Sequence, residues 1–198
     1  MSKFNIILDL DQTIISAEAE EDYDFKKYKE KAKKFTYKDM DGYYIVFERP
    51  GLQSFLTFLF NNFNVSVWTA ASKDYALFVI EKIIINGNKN RKLDWIFFSH
   101  HCDISKNMKN GSKDLNLLFK EFGIEDYNKN NTVIIDDYDE VYKTQPDNCI
   151  IAVPFEFTDD DSENDDFLKK LQVSLKKFKS TSDGTLATKV NKNIGTIS

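Results

Sequence analysis

Five short runs of large apolar residues, at 3–8, 64–68, 93–98, 132–135 and 148–153, constrain this chain more than any other feature. They are near-continuous in Ile, Val, Leu and Phe instead of alternating with polar residues, and strands of that kind need cover on both faces. Helical patterns lie between them. Leu52, Phe55, Leu56, Leu59, Phe60 and Phe63 recur at i, i+3, i+4, i+7, i+8 and i+11 behind Pro50-Gly51, which predicts a helix with one apolar face. Residues 73–85, 113–122 and 166–178 also predict helices, the second stopped at Gly123. Strands alternating with helices predict an α/β fold of three layers, α/β/α, in which a central parallel sheet gathers ligands at the carboxyl ends of its strands.

Two segments fall outside this rhythm. Between 17 and 34 the acids Glu18, Glu20, Glu21, Asp22 and Asp24 precede Lys26, Lys27, Lys29, Lys31, Lys33 and Lys34, an order that complements a helix dipole. This predicts a solvated inserted helix followed by a strand at 43–47, so that the insertion occupies 17–47. Beyond 179 the chain turns to Ser, Thr, Asn, Lys and Gly with few large apolar groups, which predicts a main domain over 1–179 and a flexible tail over 180–198.

Scarcity removes several chemistries. The 198 residues contain two cysteines, Cys102 and Cys149, and two histidines, His100 and His101, too few for a finger-type zinc site. No two of the seven glycines stand two apart, so dinucleotide, Walker A and nucleophile-elbow loops are excluded. A net charge of −5 provides no global attraction to nucleic acid or an anionic membrane, and direct nucleic-acid binding is not expected. The first residues carry neither a signal-peptide core nor enough apolar length to span a bilayer, so a soluble protein without a membrane partner, in nucleus or cytoplasm, is expected. Oligomeric state is not readable.

The chemistry concentrates in Asp9-Leu10-Asp11-Gln12-Thr13, directly after the first apolar run. At a strand end positions i and i+2 point the same way, so two carboxylates can meet one substrate, one attacking while the other handles protons. A phosphate ester repels such a pair, which therefore needs a divalent cation, and an oxygen-only ligand set points to Mg²⁺. Asp136-Asp137 closes the run at 132–135 and offers further metal oxygens. Thr69 ends the run at 64–68, where its hydroxyl and the following amides can hold phosphoryl oxygens. Lys113 opens the expected helix at 113–122, placed to neutralise a nucleophile and a transferring phosphate.

These four motifs in this order resemble the haloacid dehalogenase superfamily, and Asp11 places the resemblance on its phosphatase side. Phe47-Glu48-Arg49-Pro50-Gly51-Leu52, Trp68-Thr69-Ala70-Ala71-Ser72 with Tyr75, Lys113-Asp114-Leu115, and Ile135-Asp136-Asp137 with Gln145-Pro146-Asp147-Asn148 are similar to the catalytic domain of RNA polymerase II carboxy-terminal-domain (CTD) phosphatases, the NLI-interacting-factor-like group. The resemblance implies a Rossmann-like fold with a short insertion in place of a large cap. It implies a Mg²⁺-dependent phosphoserine/phosphothreonine protein phosphatase working through an aspartyl-phosphate, on a phosphorylated protein or peptide such as the polymerase tail. Matched by position, Asp9 would be nucleophile and metal ligand. Asp11 would act as acid and base and lend its main-chain carbonyl to the metal. Thr69 and Lys113 would hold the phosphoryl group, Asp137 would ligate the metal, Asp136 would orient Lys113, and Thr13 would brace the turn. Arg49, Pro50 and Gly51 are expected to fix the backbone leading into the first core helix.

One departure concerns Ser99-His100-His101-Cys102, where small members of the family show an Arg that could contact phosphopeptide. His101-Cys102 does not open a cysteine-phosphatase loop, because Met108 stands where the Arg is required. Cys102 is expected to be a buried structural thiol, and the acidic run at 159–166 a loop capping the last helix. Two other functions share these residues: a phosphatase for small molecules or polynucleotide ends, and a non-catalytic interaction module on the same scaffold.

Overall fold

The computed structural model describes residues 3–108, 111–180 and 184–198. In chain order the elements are β1 (Asn5–Leu8), β2 (Ile15–Ala19), α1 (Phe25–Ala32), β3 (Tyr37–Asp39), β4 (Tyr44–Glu48), α2 (Leu52–Asn62), β5 (Asn64–Trp68) and α3 (Lys73–Val79). Then follow β6 (Ile96–Phe97), α4 (Ser99–Met108), β7 (Thr132–Asp136), α5 (Asp139–Thr144), β8 (Cys149–Ile151), α6 (Phe167–Phe178) and α7 (Leu186–Ile194). Five strands form a parallel sheet in the order β6-β5-β1-β7-β8, with Leu8 of β1 registered against Val67 of β5 and Ile135 of β7. Ile6 and Leu8 join a core with Leu52, Phe55, Leu59, Leu171 and Leu175, while Ile7 between them joins a second core with Trp68, Leu118 and Cys149. Burial of both faces is what the unbroken apolar runs demanded, and the three-layer α/β fold follows.

The insertion differs from the expected helix over 17–34. Ile15–Ala19 is a strand, and β2, β4 and β3 make a small antiparallel sheet. The helix starts only at Phe25, where the Asp24 carboxylate accepts from the amides of Lys26 and Lys27 at 3.0 and 2.9 Å, a cap that sets the start well inside the 17–34 expected from the order of charges. Behind the sheet Phe47 stacks on Phe157, ring centroids 3.7 Å apart. The expected strand at 93–98 contracts to two residues, although Asp94 and Trp95 still follow β5 through backbone bonds to Val65 and Val67. The expected helix at 73–85 changes to a π-helix over Ile80–Ile85, which keeps Ile80, Ile83 and Ile84 buried.

The helix expected at 113–122 is only a π-helical turn over Leu117–Glu121, so Lys113 lies in the preceding loop. The tail expected to be flexible over 180–198 contains α7, which docks on the sheet edge; residues 181–183 of that segment lie outside the described residues. Leu186, Ala187 and Val190 are fully buried, and the amide side chain of Asn191 accepts from Ile151 N at 3.0 Å and donates to Cys149 O at 2.9 Å. A few apolar groups on one helical face, plus one amide that satisfies an edge strand, suffice to hold a segment whose composition is otherwise polar.

Candidate active site

β1 delivers Asp9 to the carboxyl edge of the sheet, where its amide donates to Ile135 O of β7 at 3.0 Å. The chain then turns sharply: Gln12 takes a left-handed conformation (φ 59°), and the amides of Thr13 and Ile14 return to Leu10 O. The turn aims the Thr13 hydroxyl between two carboxylates, 3.1 Å from Asp9 Oδ2 and 3.1 Å from Asp137 Oδ1. β7 supplies Asp136 and Asp137 from beside β1, as the parallel register requires.

Lys113 arrives from a loop. Its carbonyl accepts from Gln145 Nε2 at 2.8 Å, the Leu115 amide donates to Gln145 Oε1 at 2.9 Å, and the Asp114 amide donates to Ser105 Oγ at 2.9 Å. Held in this way, the buried ammonium lies 2.5 Å from Asp9 Oδ1 and 2.7 Å from Asp136 Oδ2. Asp136 Oδ1 accepts from the Tyr138 amide at 2.9 Å, so both of its oxygens are engaged. Burial alone would depress the Lys113 pKa, but Asp9 and Asp136 raise it above the ordinary lysine value and keep it charged. Burial first, then the charge of Asp9, pushes both Asp136 and Asp137 upward.

One lysine faces a surplus of negative charge. Asp9, Asp136 and Asp137 each offer a carboxylate oxygen, and these oxygens all lie within 4.8 Å of one another. This all-oxygen cluster suits a hard divalent cation, with Asp9 and Asp137 the carboxylates left to meet it once Asp136 is committed to Lys113 and the Tyr138 amide, and the cation's charge would offset the burial and the repulsion that raise Asp136 and Asp137. Asp11 is placed differently. Its Oδ1 accepts a hydrogen bond from the Tyr75 hydroxyl, and burial with the charge of Asp9 lifts its pKa to about 6, against the lowering effect of the Tyr75 bond. Tyr75 is itself raised, chiefly by burial and then by Asp11, and so remains a donor.

Thr69 also sits at this edge, two residues beyond the Val67 that pairs with Leu8. Its hydroxyl accepts from the Ala71 amide at 3.1 Å and its carbonyl faces Cys102 Sγ at 3.6 Å; among the described residues no hydrogen bond joins it to the carboxylates. Cys102 is a buried thiol whose pKa is raised by burial. His101 packs against Phe97, Phe98 and Phe122, with Nδ1 accepting from the Phe98 amide at 3.1 Å.

The residue that local pattern undervalued is Arg49. Its side chain is fully buried, Nη1 donates to Thr13 O at 2.9 Å and Val153 O at 2.7 Å, and Nε and Nη2 grip both oxygens of Asp165 at 2.8 Å. Arg49 therefore holds the turn that carries Asp9, Asp11 and Thr13, and Asp165 takes part of the acidic run out of the role of a mere loop. The Arg-Pro-Gly at 49–51 and the acidic run at 159–166 are each visible in the sequence, but Arg49 and Asp165 stand 116 residues apart and no local pattern pairs them.

Comparison with known proteins agrees with this architecture. Residues 4–185 match the NLI interacting factor-like phosphatase family. The CTD phosphatase-like protein 355R of Invertebrate iridescent virus 6 is 45% identical over 175 residues, covering 86% of this chain and 96% of that protein. The ubiquitin-like domain-containing CTD phosphatase 1 of Xenopus tropicalis is 27% identical over 138 residues, covering 68% of this chain but 43% of that protein. The solved structure of Fcp1, described as an essential RNA polymerase II CTD phosphatase, aligns with a TM-score of 0.56 and 25% identity, covering 96% of this chain and 53% of the chain in that structure.

Proposed function

The chain belongs to the NLI interacting factor-like phosphatase family, and we propose that it hydrolyses phosphoserine and phosphothreonine esters of proteins through an aspartyl-phosphate on Asp9. The observation that carries this is the fixing of Asp9 by Lys113 on one oxygen and Thr13 on the other, with Asp136 and Asp137 alongside.

In the first half-reaction an Asp9 oxygen attacks phosphorus, the P–O bond to the seryl oxygen breaks, and that oxygen leaves with the bonding pair and a proton from the Asp11 carboxyl. In the second, water gives a proton to Asp11 and attacks phosphorus, the P–O bond to Asp9 breaks, and Asp9 returns to its carboxylate as inorganic phosphate is released. Lys113 neutralises Asp9 and the phosphoryl oxygens, Asp136 orients Lys113, and the Thr69 hydroxyl and adjoining amides bind the phosphoryl group. Asp9, Asp137 and the Asp11 carbonyl would hold Mg²⁺, which when bound would supply positive charge against the phosphate dianion.

The names of the relatives favour a phosphorylated protein, with the polymerase tail as the first substrate to try, over small molecules, polynucleotide ends or a non-catalytic role. Turnover of a phosphoserine tail peptide, a nucleoside monophosphate and an aryl phosphate, with and without Mg²⁺, for wild type and Asp9→Asn, tests it. Metal-dependent peptide hydrolysis that disappears in Asp9→Asn is expected. Turnover that survives the substitution, or faster cleavage of the nucleotide, overturns it.

A further inference from the structure

Tyr75 lies in α3, its amide donating to Ser72 Oγ at 3.4 Å and its ring buried. The ring packs edge-on against Tyr44 at the start of β4, with centroids 5.4 Å apart and planes at 76°. Its hydroxyl donates to Asp11 Oδ1 and, among the described residues, is the one side-chain hydrogen-bond partner of that carboxylate. Main helix and insertion thus fix the phenol from two sides, and the phenol fixes Asp11.

We propose that Tyr75 is a positioning residue for proton transfer: by occupying Asp11 Oδ1 with its own hydrogen, it confines the transferable proton to Oδ2 and holds that oxygen in one orientation. This rests on Asp11 acting as acid and base as proposed above. A carboxyl group carries one proton over two oxygens, and a neighbouring donor makes its own oxygen the acceptor. The same arrangement serves both half-reactions. Oδ2 gives its proton to the leaving oxygen, then as carboxylate accepts one from the attacking water, while Tyr75 donates throughout. Removing the phenol leaves Asp11 free to rotate and to carry its proton on either oxygen.

The consequence depends on the leaving group. A basic leaving oxygen needs its proton during P–O cleavage, whereas a nitrophenolate departs without one. General acid catalysis contributes about 10²–10⁴-fold, so partial loss of orientation in Tyr75→Phe should lower kcat/KM for phosphoserine by about tenfold or more.

The test measures kcat/KM with Mg²⁺ for phosphoserine peptide and for a series of substituted phenyl phosphates from nitrophenyl to unsubstituted phenyl, in wild type and Tyr75→Phe. Small aryl esters of similar shape separate leaving-group chemistry from peptide binding. The expected result is a loss that grows with leaving-group basicity, steepening the dependence of log kcat/KM on phenol pKa. An equal loss across the series, or none, overturns the proposal. Thermal melting checks the fold of Tyr75→Phe; if that variant does not fold, Tyr44→Leu, which removes the packing behind the phenol, is read by the same slope, and an unchanged slope there overturns the proposal. Wild type and Asp9→Asn run beside them: turnover that persists in Asp9→Asn removes the underlying reading of the site, an outcome distinct from a flat slope in an otherwise Asp9-dependent enzyme.

Discussion

Replacing Arg49 by Ala tests whether a buried guanidinium holds the site together from behind. The substitution removes a two-point contact with Asp165 and the donors to Thr13 O and Val153 O, all between 2.7 and 2.9 Å. It also removes a guanidinium stacked 4.4 Å from the Phe167 ring centroid. Taking one partner from a buried ion pair costs about 3–5 kcal/mol. The 20% exposure of the Asp165 side chain draws the ionic share toward the lower limit by solvent screening. The two carbonyls lose charge-assisted bonds worth about 1.5–3 kcal/mol each, partly recovered by water entering the space. A net destabilisation of about 4 kcal/mol is expected, a large part of the 5–15 kcal/mol available to a domain of this kind. Arg49→Lys keeps the charge but loses the fork and should cost about 2 kcal/mol. Urea unfolding at constant m-value measures both, and Asp165→Ala completes a double-mutant cycle with an expected coupling of about 2 kcal/mol. A cost below about 1 kcal/mol for Arg49→Ala, or strict additivity with Asp165→Ala, would show that the guanidinium does not brace the turn through Asp165.

Other substitutions probe separate parts of the molecule. Asn191→Ala leaves Ile151 N and Cys149 O without their side-chain partner and should cost about 1–3 kcal/mol in urea unfolding; no change would mean that α7 is not needed to close the edge of β8. Lys113→Met leaves Asp9 and Asp136 without their shared cation, and should lower kcat by about 10²–10³-fold at saturating Mg²⁺. Mg²⁺ at about 100 times its Kd should stabilise wild type by about 2.7 kcal/mol in thermal melts, and Asp137→Asn should abolish most of that shift.

The parts of the fold that were legible in sequence are those set by local pattern. Ile6-Ile7-Leu8 is apolar at every position because alternate side chains enter different cores, and Asp9-Leu10-Asp11-Gln12-Thr13 stands out because the polarity changes abruptly at the end of that strand. Asp136-Asp137 is visible for the same reason. What local pattern could not supply is pairing across the chain. Arg49 meets Asp165 and Lys113 meets Gln145 through contacts that only the fold brings together. The lysine was expected at a helix start because 113–122 has a plausible helical face, yet Ser105 and Gln145 hold the backbone around it as a loop. The tail misled in the opposite direction. Composition averages over a segment, whereas docking of α7 depends on Leu186, Ala187, Val190 and Asn191 falling on one face. Tyr75 was visible as part of a motif, but its bond to Asp11 spans two strand ends and is set by how α3 leaves β5.

In the proposed reaction the phosphoryl group passes through Asp9. The most direct measurement is rapid acid quench during turnover of a phosphoserine peptide, followed by mass spectrometry of the digested protein. A phosphoryl group on the peptide that contains Asp9, formed in wild type and absent in Asp9→Asn, is the predicted result. Active turnover with that peptide unmodified, or with the phosphoryl group on another residue such as Cys102, would contradict it.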